Sequence, residues 1–560
     1  MAQDLSSLVA GLSLEDGQEK SLSELITALN SNDVVDIPKL LEAGILDELY
    51  KLVQPSSKHQ EKAAQVAAEL GKTESTREPC VKAGLPEPLL NMLTLNHIPT
   101  VTQACRALGN ICFDNNVGRD VIDQLDGVSR LIGLLKTYED SSAEGADRLR
   151  MVACGFLLNL TNTHGMALSS CNIQEPLGLQ KVQSDEGEGI RMITLRLKLN
   201  PNASQETIQE RAIALGAMEL MDSYLQKHGN DEGLCQMALM CVGSLTDADV
   251  GREKLGECEV AVTIGKLLST ETGQGDLRDT ILEMLSNLSE SDDVKQQLAS
   301  SDLKQQLVAM VKEGENKEDE ESVLQVKLAS DLIILLLTGD SSMEVLYQNG
   351  QGLIYKESRN WLKSSSEHLQ MSGALALGNF ARNDGHCCFF VREQVTEELL
   401  NLLRPGVDNV ASTVQHATFS ALRNLAIPAV NKSTMLGCGL LDIVLPYMAT
   451  EMTFVQFKLL GLLRMVVDGQ KDAAIKAGTN QNFMERLVSF CSVEDHAGVK
   501  GEANRLVAWL VKHSANSEVM KNVISTNGVP HLVNMMNAEH AVMQNEALVA
   551  LTLIVTACIG

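Results

Sequence analysis

The residues best suited to covalent chemistry are a histidine and a cysteine that follow an aspartate. His386 and Cys387 come directly after Asp384 and Gly385, and thiol–imidazole pairs are common nucleophiles in enzymes. Adjacent residues of a helix point about 100° apart, however, so this pair is not expected to act together. No Walker loop, dinucleotide-binding glycine motif, nucleophile elbow or zinc-protease helix occurs. We therefore predict a binding protein with no catalytic residue, no cofactor and no metal site.

A second set of polar residues consists of asparagines that recur inside leucine-rich helical patterns. If the helices stack, these side chains line one concave surface, where a ladder of amides can hold the backbone of an extended peptide. Each asparagine could instead cap or bridge its own repeat. For Asn379, and for Asn383 after it, a bond to a helix carbonyl between repeats is a further alternative. The column comprises Asn110, Asn159, Asn287, Asn379 and Asn424.

Acidic residues recur one repeat apart, just after two of these helical patterns. Asp247 and Asp249 follow the first, and Glu290, Asp292 and Asp293 follow the second. Together they predict a negative surface, called here the acidic strip, that would attract a Lys/Arg-rich tail. The alternative is that Asp249 and Asp292 cap the next helix.

A mixed polar patch is predicted in a later repeat. Asn379, Arg382 and Asn383 are three and four residues apart, which puts them on one face of a continuous helix.

The elements that position these residues form a repeat of about 42 residues. A small-residue turn before an amphipathic run occurs at Gly44, Gly84 and Gly127, then at Gly216, and again up to Gly528. A unit of one short and two longer helices cannot bury its apolar face alone and must stack on its neighbours. The glycine turn favours three-helix armadillo units over two-helix HEAT units. We predict an all-α, right-handed armadillo-repeat solenoid of about 11 to 12 repeats, spanning 1–560 as one domain.

Two segments interrupt this period. Gly165 to Ser204 is polar and glycine-rich at its centre, and we predict a disordered insertion within one repeat. Residues 313–321 read EGENKEDEE and predict an acidic inter-helix loop.

Composition limits the possible partners and compartments. The net charge of −27 over 560 residues argues against nucleic-acid binding and favours basic protein partners. The 13 cysteines include no Cys-x-x-Cys pair, and we expect no signal peptide, so we predict reduced thiols and a location in the cytosol or nucleus. The longest apolar run, Ala547 to Ile559, is too short to span a bilayer. We expect a monomer that does not cross a membrane.

Three stretches resemble a known family. RALGNICFDNNVGR (106–119), GALALGNFARND (373–384) and TVQHATFSALRNLAIPAVNK (413–432) are similar to the smg GDP dissociation stimulator family of armadillo proteins. The likeness covers nearly the whole chain outside Gly165 to Ser204.

The resemblance implies partners and site residues. The implied partners are small GTPases of the Rho and Ras type with polybasic, prenylated tails. The implied activity is that of a chaperone and a stimulator of GDP release, without catalytic chemistry. By resemblance, the nucleus, endoplasmic reticulum and mitochondrion join the cytosol as locations. The GTPase-binding positions implied are Glu290, Asp292, Asn379 and Asn383, with Asp247, Asp249 and Asp293 as further residues of the strip for the tail.

Two alternatives remain at this point. An importin-α-like carrier of basic peptides is also acidic and asparagine-lined, but such carriers use a tryptophan with an asparagine four residues later. Trp361 and Trp509 are the only tryptophans, and Ser365 and His513 stand four residues after them. The other alternative is a non-catalytic scaffold of the catenin kind.

Overall fold

Three helices make up each repeat of the fold. The computed structural model describes residues 5–30, 35–162, 203–270, 273 and 277–559, and within these ranges it contains helices and no β-strand. Eleven three-helix repeats, numbered 1 to 11 along the chain, follow an N-terminal helix pair, Leu5–Leu12 and Gln18–Asn30. The prediction of an all-α armadillo fold of about 11 to 12 repeats is confirmed.

The bounds of the helices follow in order of repeat. The first helices are Ile37–Glu42, Glu74–Lys82, Asn116–Gln124, Ala203–Ala214, Asp249–Glu257, Asp292–Ser300, Asp340–Tyr347, Asp384–Arg392, Ala429–Gly437, Lys471–Gly478 and Ser517–Ser525. The second helices are Ile45–Leu52, Pro86–Met92, Gly127–Tyr138, Ala217–His228, Val260–Leu267, Leu303–Gly314, Leu353–Trp361, Val395–Leu403, Leu440–Val444, Gln481–Phe490 and Val529–Met535. The third helices are Gln60–Gly71, Ile98–Cys112, Ala146–Thr161, Glu232–Thr246, Arg278–Leu288, Glu320–Leu336, Glu367–Phe380, Ser412–Leu425, Thr453–Val467, Ala497–Ser514 and Ala541–Ile559.

The chain forms two compact units, Met1–Val294 and Lys295–Gly560. In each unit, neighbouring third helices pack side by side along the repeats. The single domain over 1–560 stays a prediction.

The third helices pack through an apolar stripe with small residues where two helices approach closely. In repeat 7, Leu369, Gly373, Leu377 and Phe380 recur at three- and four-residue spacing and are buried. A fully buried Leu or Phe side chain contributes about 1.5–3 kcal/mol. In repeat 2, a Cβ added to Gly109 would lie 3.3 Å from the Cα of Phe156 in repeat 3. The glycine therefore lets the two helices come together.

The turn between the first and second helices adopts the left-handed conformation that the glycine pattern predicts. Gly216 has φ of 87° and Gly439 has φ of 79°, a region that side chains disfavour. At the turn of repeat 3, however, Asp126 is the left-handed residue, with φ of 62°. Gly127 is needed there for lack of space, because an added Cβ would lie 2.7 Å from the carbonyl oxygen of Ile122.

Repeats 3 and 4 are joined by a buried polar bridge at the ends of their third helices. Gln209 is 1% exposed, and its Nε2 donates to the carbonyl oxygens of Thr161, at 2.9 Å, and Ser244, at 2.8 Å. The hydroxyls of Thr161 and Ser244 lie 3.0 Å apart. This bridge satisfies carbonyls that a helix end would otherwise leave unpaired.

The two predicted interruptions have different outcomes. Of the insertion predicted at 165–204, residues 165–202 lie outside the described residues, whereas Ala203 and Ser204 begin the first helix of repeat 4. The loop predicted at 313–321 is shorter, because the preceding helix ends at Gly314 and Asp319 N-caps the next one. The Asp319 Oδ1 accepts a hydrogen bond from the Ser322 amide at 2.8 Å.

Within the described ranges, no single helix has the length and apolar character needed to cross a bilayer. A pair, Glu320–Leu336 with Asp340–Gly350, reaches that length and composition only together, across a bend of 111°. In the same part of the chain, no group of three or more His, Cys, Asp or Glu side chains could hold a metal ion.

Candidate functional site

The acidic strip lies where the third helices of repeats 4 and 5 end. Asp247 follows Thr246, the last residue of one third helix, and Asp249 opens the next first helix. One repeat later, Glu290 lies in the corresponding connection, and Asp292 and Asp293 open the following helix. All five side chains are exposed. The five residues thus stand at corresponding positions of consecutive repeats, and their role as a surface for a basic tail stays a prediction.

One arginine occupies part of the acidic strip. The Arg252 Nη1 donates to the carbonyl oxygens of Thr246, at 3.2 Å, and Asp247, at 3.0 Å, which caps the negative end of the third helix. The Nη2 of the same guanidinium pairs with the Asp249 carboxylate. The alternative that Asp249 is an N-cap is wrong, because Ala248 holds that position without a side-chain hydrogen bond.

Two carboxylates of the acidic strip have no partner among the described residues. Glu290 and Asp293 form no ion pair or side-chain hydrogen bond with the described part of the chain. Asp293 and Asp292 also lie in the first turn of Asp292–Ser300, where the positive end of the helix dipole favours a negative charge. Glu290 and Asp293 are thus the residues of the strip most available to a basic partner.

Three asparagines of the column bridge neighbouring repeats. The Nδ2 atoms of Asn110, Asn159 and Asn424 donate to the carbonyl oxygens of Ala68, Gly109 and Gly378, at 2.8, 3.0 and 3.0 Å. Each acceptor belongs to the third helix of the preceding repeat. These three amides therefore neither bridge their own repeat nor remain available to a peptide, because each one joins two neighbouring repeats.

The other two asparagines of the column are free. Asn287 is exposed and Asn379 is half-buried, and neither side chain forms a hydrogen bond with the described residues. An amide without an internal partner can bind a peptide or side chain of another protein. The hypothesis of a peptide-holding ladder thus remains for Asn287 and Asn379.

The mixed polar patch is not a single helix face. The prediction for Asn379, Arg382 and Asn383 is wrong because the helix ends at Phe380, and the other two residues follow its end. Asn383 is the N-cap of Asp384–Arg392: its Oδ1 accepts a hydrogen bond from the His386 amide at 2.8 Å. The Arg382 Nη1 donates to the Thr338 carbonyl oxygen, at 2.8 Å, in the preceding repeat.

These contacts predict different effects for the two asparagines. Asn383→Ala removes an N-cap and should lower the free energy of unfolding by about 1 kcal/mol. Asn379→Ala removes a side chain without an internal partner and should change it by less than about 0.5 kcal/mol. Chemical denaturation of both variants checks this, and a larger loss for Asn379→Ala than for Asn383→Ala would contradict the assignment.

The histidine and cysteine near this patch do not form a nucleophilic pair. Cys387 is buried, and its Sγ donates to the carbonyl oxygen of Asn424 at 3.4 Å. Burial raises the pKa of the Cys387 thiol to about 12, so the thiol is neutral near pH 7. The Nδ1 of His386 lies 2.9 Å from the Phe380 carbonyl oxygen. Both groups are used in holding the helix ends.

Sequence reasoning missed a ladder of charged residues on the third helices of repeats 9 to 11. Arg464 holds Glu502 through two hydrogen bonds, of 2.6 and 3.1 Å, and Arg505 holds Glu546 through two of 2.9 Å. The Arg464 guanidinium also lies 4.8 Å from the ring centre of Trp509. Burial tends to raise the pKa of Glu546, but the hydrogen bonds and charge of Arg505 outweigh it and hold that pKa below its usual value.

A signal for the ladder exists in the sequence. Arg423, Arg464 and Arg505 recur every 41 residues, which is one repeat. A single charged residue on a helix usually lies in solvent and attracts no notice. The recurrence of arginine therefore becomes visible only when the sequences of the repeats are aligned.

Comparisons with known proteins identify relatives that match nearly the whole chain. No family model matches. The chain is 36% identical over 530 residues to Rap1 GTPase-GDP dissociation stimulator 1-A of Xenopus laevis, covering 95% of this chain and 80% of the relative. It is 32% identical over 535 residues to the GTPase-GDP dissociation stimulator vimar of Drosophila melanogaster, covering 88% and 76%.

A solved structure supports the fold. A chain from a study of the interaction between cadherin and beta-catenin is similar over 98% of this chain and 99% of its own, with 13% identity and a TM-score of 0.57. At this identity the likeness concerns the fold alone. Family membership follows instead from the sequence identity over most of both chains: the protein belongs to the GTPase-GDP dissociation stimulator family.

Proposed function

We propose that the protein binds small GTPases of the Rho and Ras type and stimulates the release of their GDP. The observation that carries this proposal is the 36% identity, over 95% of the chain, to a protein named for GDP dissociation from Rap1. The function needs no bond to be broken, since a regulator that only binds can change the affinity of a GTPase for its nucleotide. We therefore assign no catalytic residue.

The acidic strip would receive the polybasic tail of the GTPase. Glu290 and Asp293 are exposed and unpaired, and the chain carries a net charge of −27. Lysines and arginines of a flexible tail are attracted to such a surface, and the attraction is screened beyond about 10 Å at 0.1 M salt. The prenyl group of the tail would add apolar contacts, which makes the protein a chaperone for the lipid-modified GTPase.

The folded body of the GTPase would contact the second unit. Asn379 offers a free amide on the third helix of repeat 7, and Asn383 is exposed at the start of the next helix. Since Asn383 already caps that helix, its part in binding is to present the adjacent backbone. Asn379 is the side chain whose hydrogen bonds remain available.

Exchange would follow from the difference in affinity between two states of the GTPase. A surface that binds the nucleotide-free conformation more tightly must weaken nucleotide binding by the same factor. We further propose that the protein acts in the cytosol as a monomer, with the nucleus, endoplasmic reticulum and mitochondrion as further locations.

Nucleotide release and binding affinity test the proposal together. Prenylated Rap1 and a prenylated Rho-type GTPase would be loaded with a fluorescent GDP analogue, and release would be followed with and without the protein. We expect faster release from at least one of them, and about 10-fold tighter binding of the nucleotide-free form than of the GDP form. Tight binding with equal affinity for both forms would leave a tail-binding chaperone, whereas no binding would reject the function.

A further inference from the structure

Arg423 is a partly exposed arginine of the second unit. It lies on the third helix of repeat 8, and its side chain forms no hydrogen bond or ion pair with the described part of the chain. The side chain crosses the backbone of the next third helix at Gly461. A Cβ added to Gly461 would lie 3.2 Å from the Nε of Arg423 and 3.3 Å from its Cδ.

Three other arginines of the second unit each bind a glutamate of the following repeat. Arg359 pairs with Glu398 through two hydrogen bonds of 2.9 Å. Arg464 and Arg505 likewise each form two hydrogen bonds with one glutamate. These glutamates stand 38 to 41 residues after their arginines. Bidentate arginine–carboxylate pairs are stronger and more specific than single hydrogen bonds. A bidentate ion pair between consecutive repeats, called here the clasp, thus recurs at Arg359, Arg464 and Arg505.

At Arg423 the clasp lacks its carboxylate. Glu502 stands 38 residues after Arg464, and the residue 38 positions after Arg423 is Gly461. The carboxylate of Glu502 is close by, since its Oε2 lies 3.9 Å from the Cβ position of Gly461. That carboxylate is already held by Arg464 and lies 3.8 Å from the Nη1 of Arg505. Gly461 therefore supplies no carboxylate to Arg423, whose side chain packs against the glycine instead.

The free arginine lies at the same level as the free asparagine of the preceding repeat. Asn424, next to Arg423, donates to the carbonyl oxygen of Gly378, next to Asn379. This hydrogen bond fixes the relative position of the two third helices. Two unpaired donors, Arg423 and Asn379, thus occur on adjacent helices of a chain that is otherwise strongly acidic.

We propose that Arg423, which is partly exposed, binds an Asp or Glu side chain of the bound GTPase. This rests on the proposed function and names a contact for it. The third helices hold the guanidinium of Arg423 in position. A carboxylate of the GTPase can therefore form with it the same bidentate pair that glutamates of this chain form with Arg464 and Arg505. The contact concerns the folded body of the GTPase, since the polybasic tail carries charge of the same sign as Arg423.

Three variants of Arg423 test the contact by titration calorimetry with prenylated, GDP-loaded Rap1. We expect Arg423→Ala to raise the Kd about 10-fold, Arg423→Lys to raise it less, and Arg423→Glu to raise it about 50-fold or more. The control is Arg404→Ala, since Arg404 is exposed and bonds Asn401 of its own repeat at 2.8 Å. Thermal unfolding of each variant should match that of the native chain.

A double-mutant cycle identifies the partner carboxylate. Each exposed Asp and Glu of Rap1 would be replaced by Ala and combined with Arg423→Ala. We expect one of them to cause no further loss in the combined variant, because the pair is already broken. Additive losses for all of them would overturn the proposal.

An internal carboxylate gives an independent test. The Cβ of Gly461→Glu would lie 3.2 Å from the Nε of Arg423, so the flexible Arg423 side chain must shift slightly. The new carboxylate would then pair with Arg423, so we expect a folded protein with about 10-fold weaker binding. If folded Gly461→Glu and Arg423→Glu both bind Rap1 as tightly as the native chain, the contact is rejected while the GTPase-binding function stands. If the native chain itself fails to bind either GTPase, the function is rejected and the contact with it.

Discussion

The variant Glu290→Lys/Asp293→Lys is expected to bind a prenylated, polybasic GTPase about 30-fold more weakly than the native chain at 0.1 M salt. Both carboxylates are exposed and have no partner in the part of the chain that the structure describes, and each exposed ion pair contributes about 0.2–1 kcal/mol. Reversing a charge both removes an attraction and adds a repulsion, so reversal should cost more than the neutral variant Glu290→Gln/Asp293→Asn. Titration calorimetry over a range of salt concentrations measures both effects.

The salt dependence separates this contact from a change in folding. The difference between the native chain and the reversed variant should shrink toward 1 M salt, where charges are screened within about 3 Å. A matched control is Glu313→Lys, since Glu313 is exposed, lies in the second helix of repeat 6 outside the strip, and pairs with Lys317 at 3.3 Å. Unchanged affinity in the reversed variant at low salt would reduce the strip to a solubilising surface.

The variant Arg505→Ala is expected to lower the free energy of unfolding by about 3 kcal/mol. Its partner Glu546 is only 9% exposed, and removing the arginine leaves that carboxylate desolvated without its two hydrogen bonds. Such a broken, buried pair costs about 3–5 kcal/mol, and the partial exposure of Arg505 places the value at the lower end. Urea unfolding followed by circular dichroism measures the loss.

Two controls assign that loss to the buried charge. Lys476→Ala breaks an exposed pair with Asp442 and should cost less than about 0.5 kcal/mol. Arg505→Met/Glu546→Leu removes both charges and should recover much of the stability lost in Arg505→Ala. Equal losses in the single and double variants would assign the effect to packing instead.

The pair between Arg505 and Glu546 also predicts how the stability of the protein changes with pH. The pKa of Glu546 is lower in the folded chain than its ordinary value because of Arg505. Its stabilising contribution is therefore present above the ordinary pKa of a glutamate and is lost as the pH falls through the folded pKa.

The repeat could be predicted from the sequence because its causes are local. Left-handed glycines such as Gly216, and apolar residues such as Leu369 and Leu377, follow rules of turn geometry and helical spacing. The corresponding positions of the acidic-strip residues followed from the same repeat, because equivalent residues of stacked units align.

The individual contacts could not be predicted in the same way. The spacing of Asn379, Arg382 and Asn383 predicted a helix that continues past Phe380. The helix ends there instead, and the side chain of Asn383 accepts a backbone hydrogen bond that starts a new helix. The bond from Asn424 to Gly378 and the clasp from Arg464 to Glu502 join residues in different repeats. Their partners depend on the stagger between third helices, which no short window of sequence contains.

The buried bridge at Gln209 has a practical consequence for protein engineering. It ties the end of the third helix of repeat 3 to that of repeat 4 through residues that stand on either side of 163–202 in the sequence. Lengthening a connection costs little, since each doubling of a flexible loop adds only about 0.6 kcal/mol. A fluorescent reporter domain inserted between Asn162 and Ala203 should therefore leave both repeats assembled, which would make this junction a place to attach a sensor of partner binding.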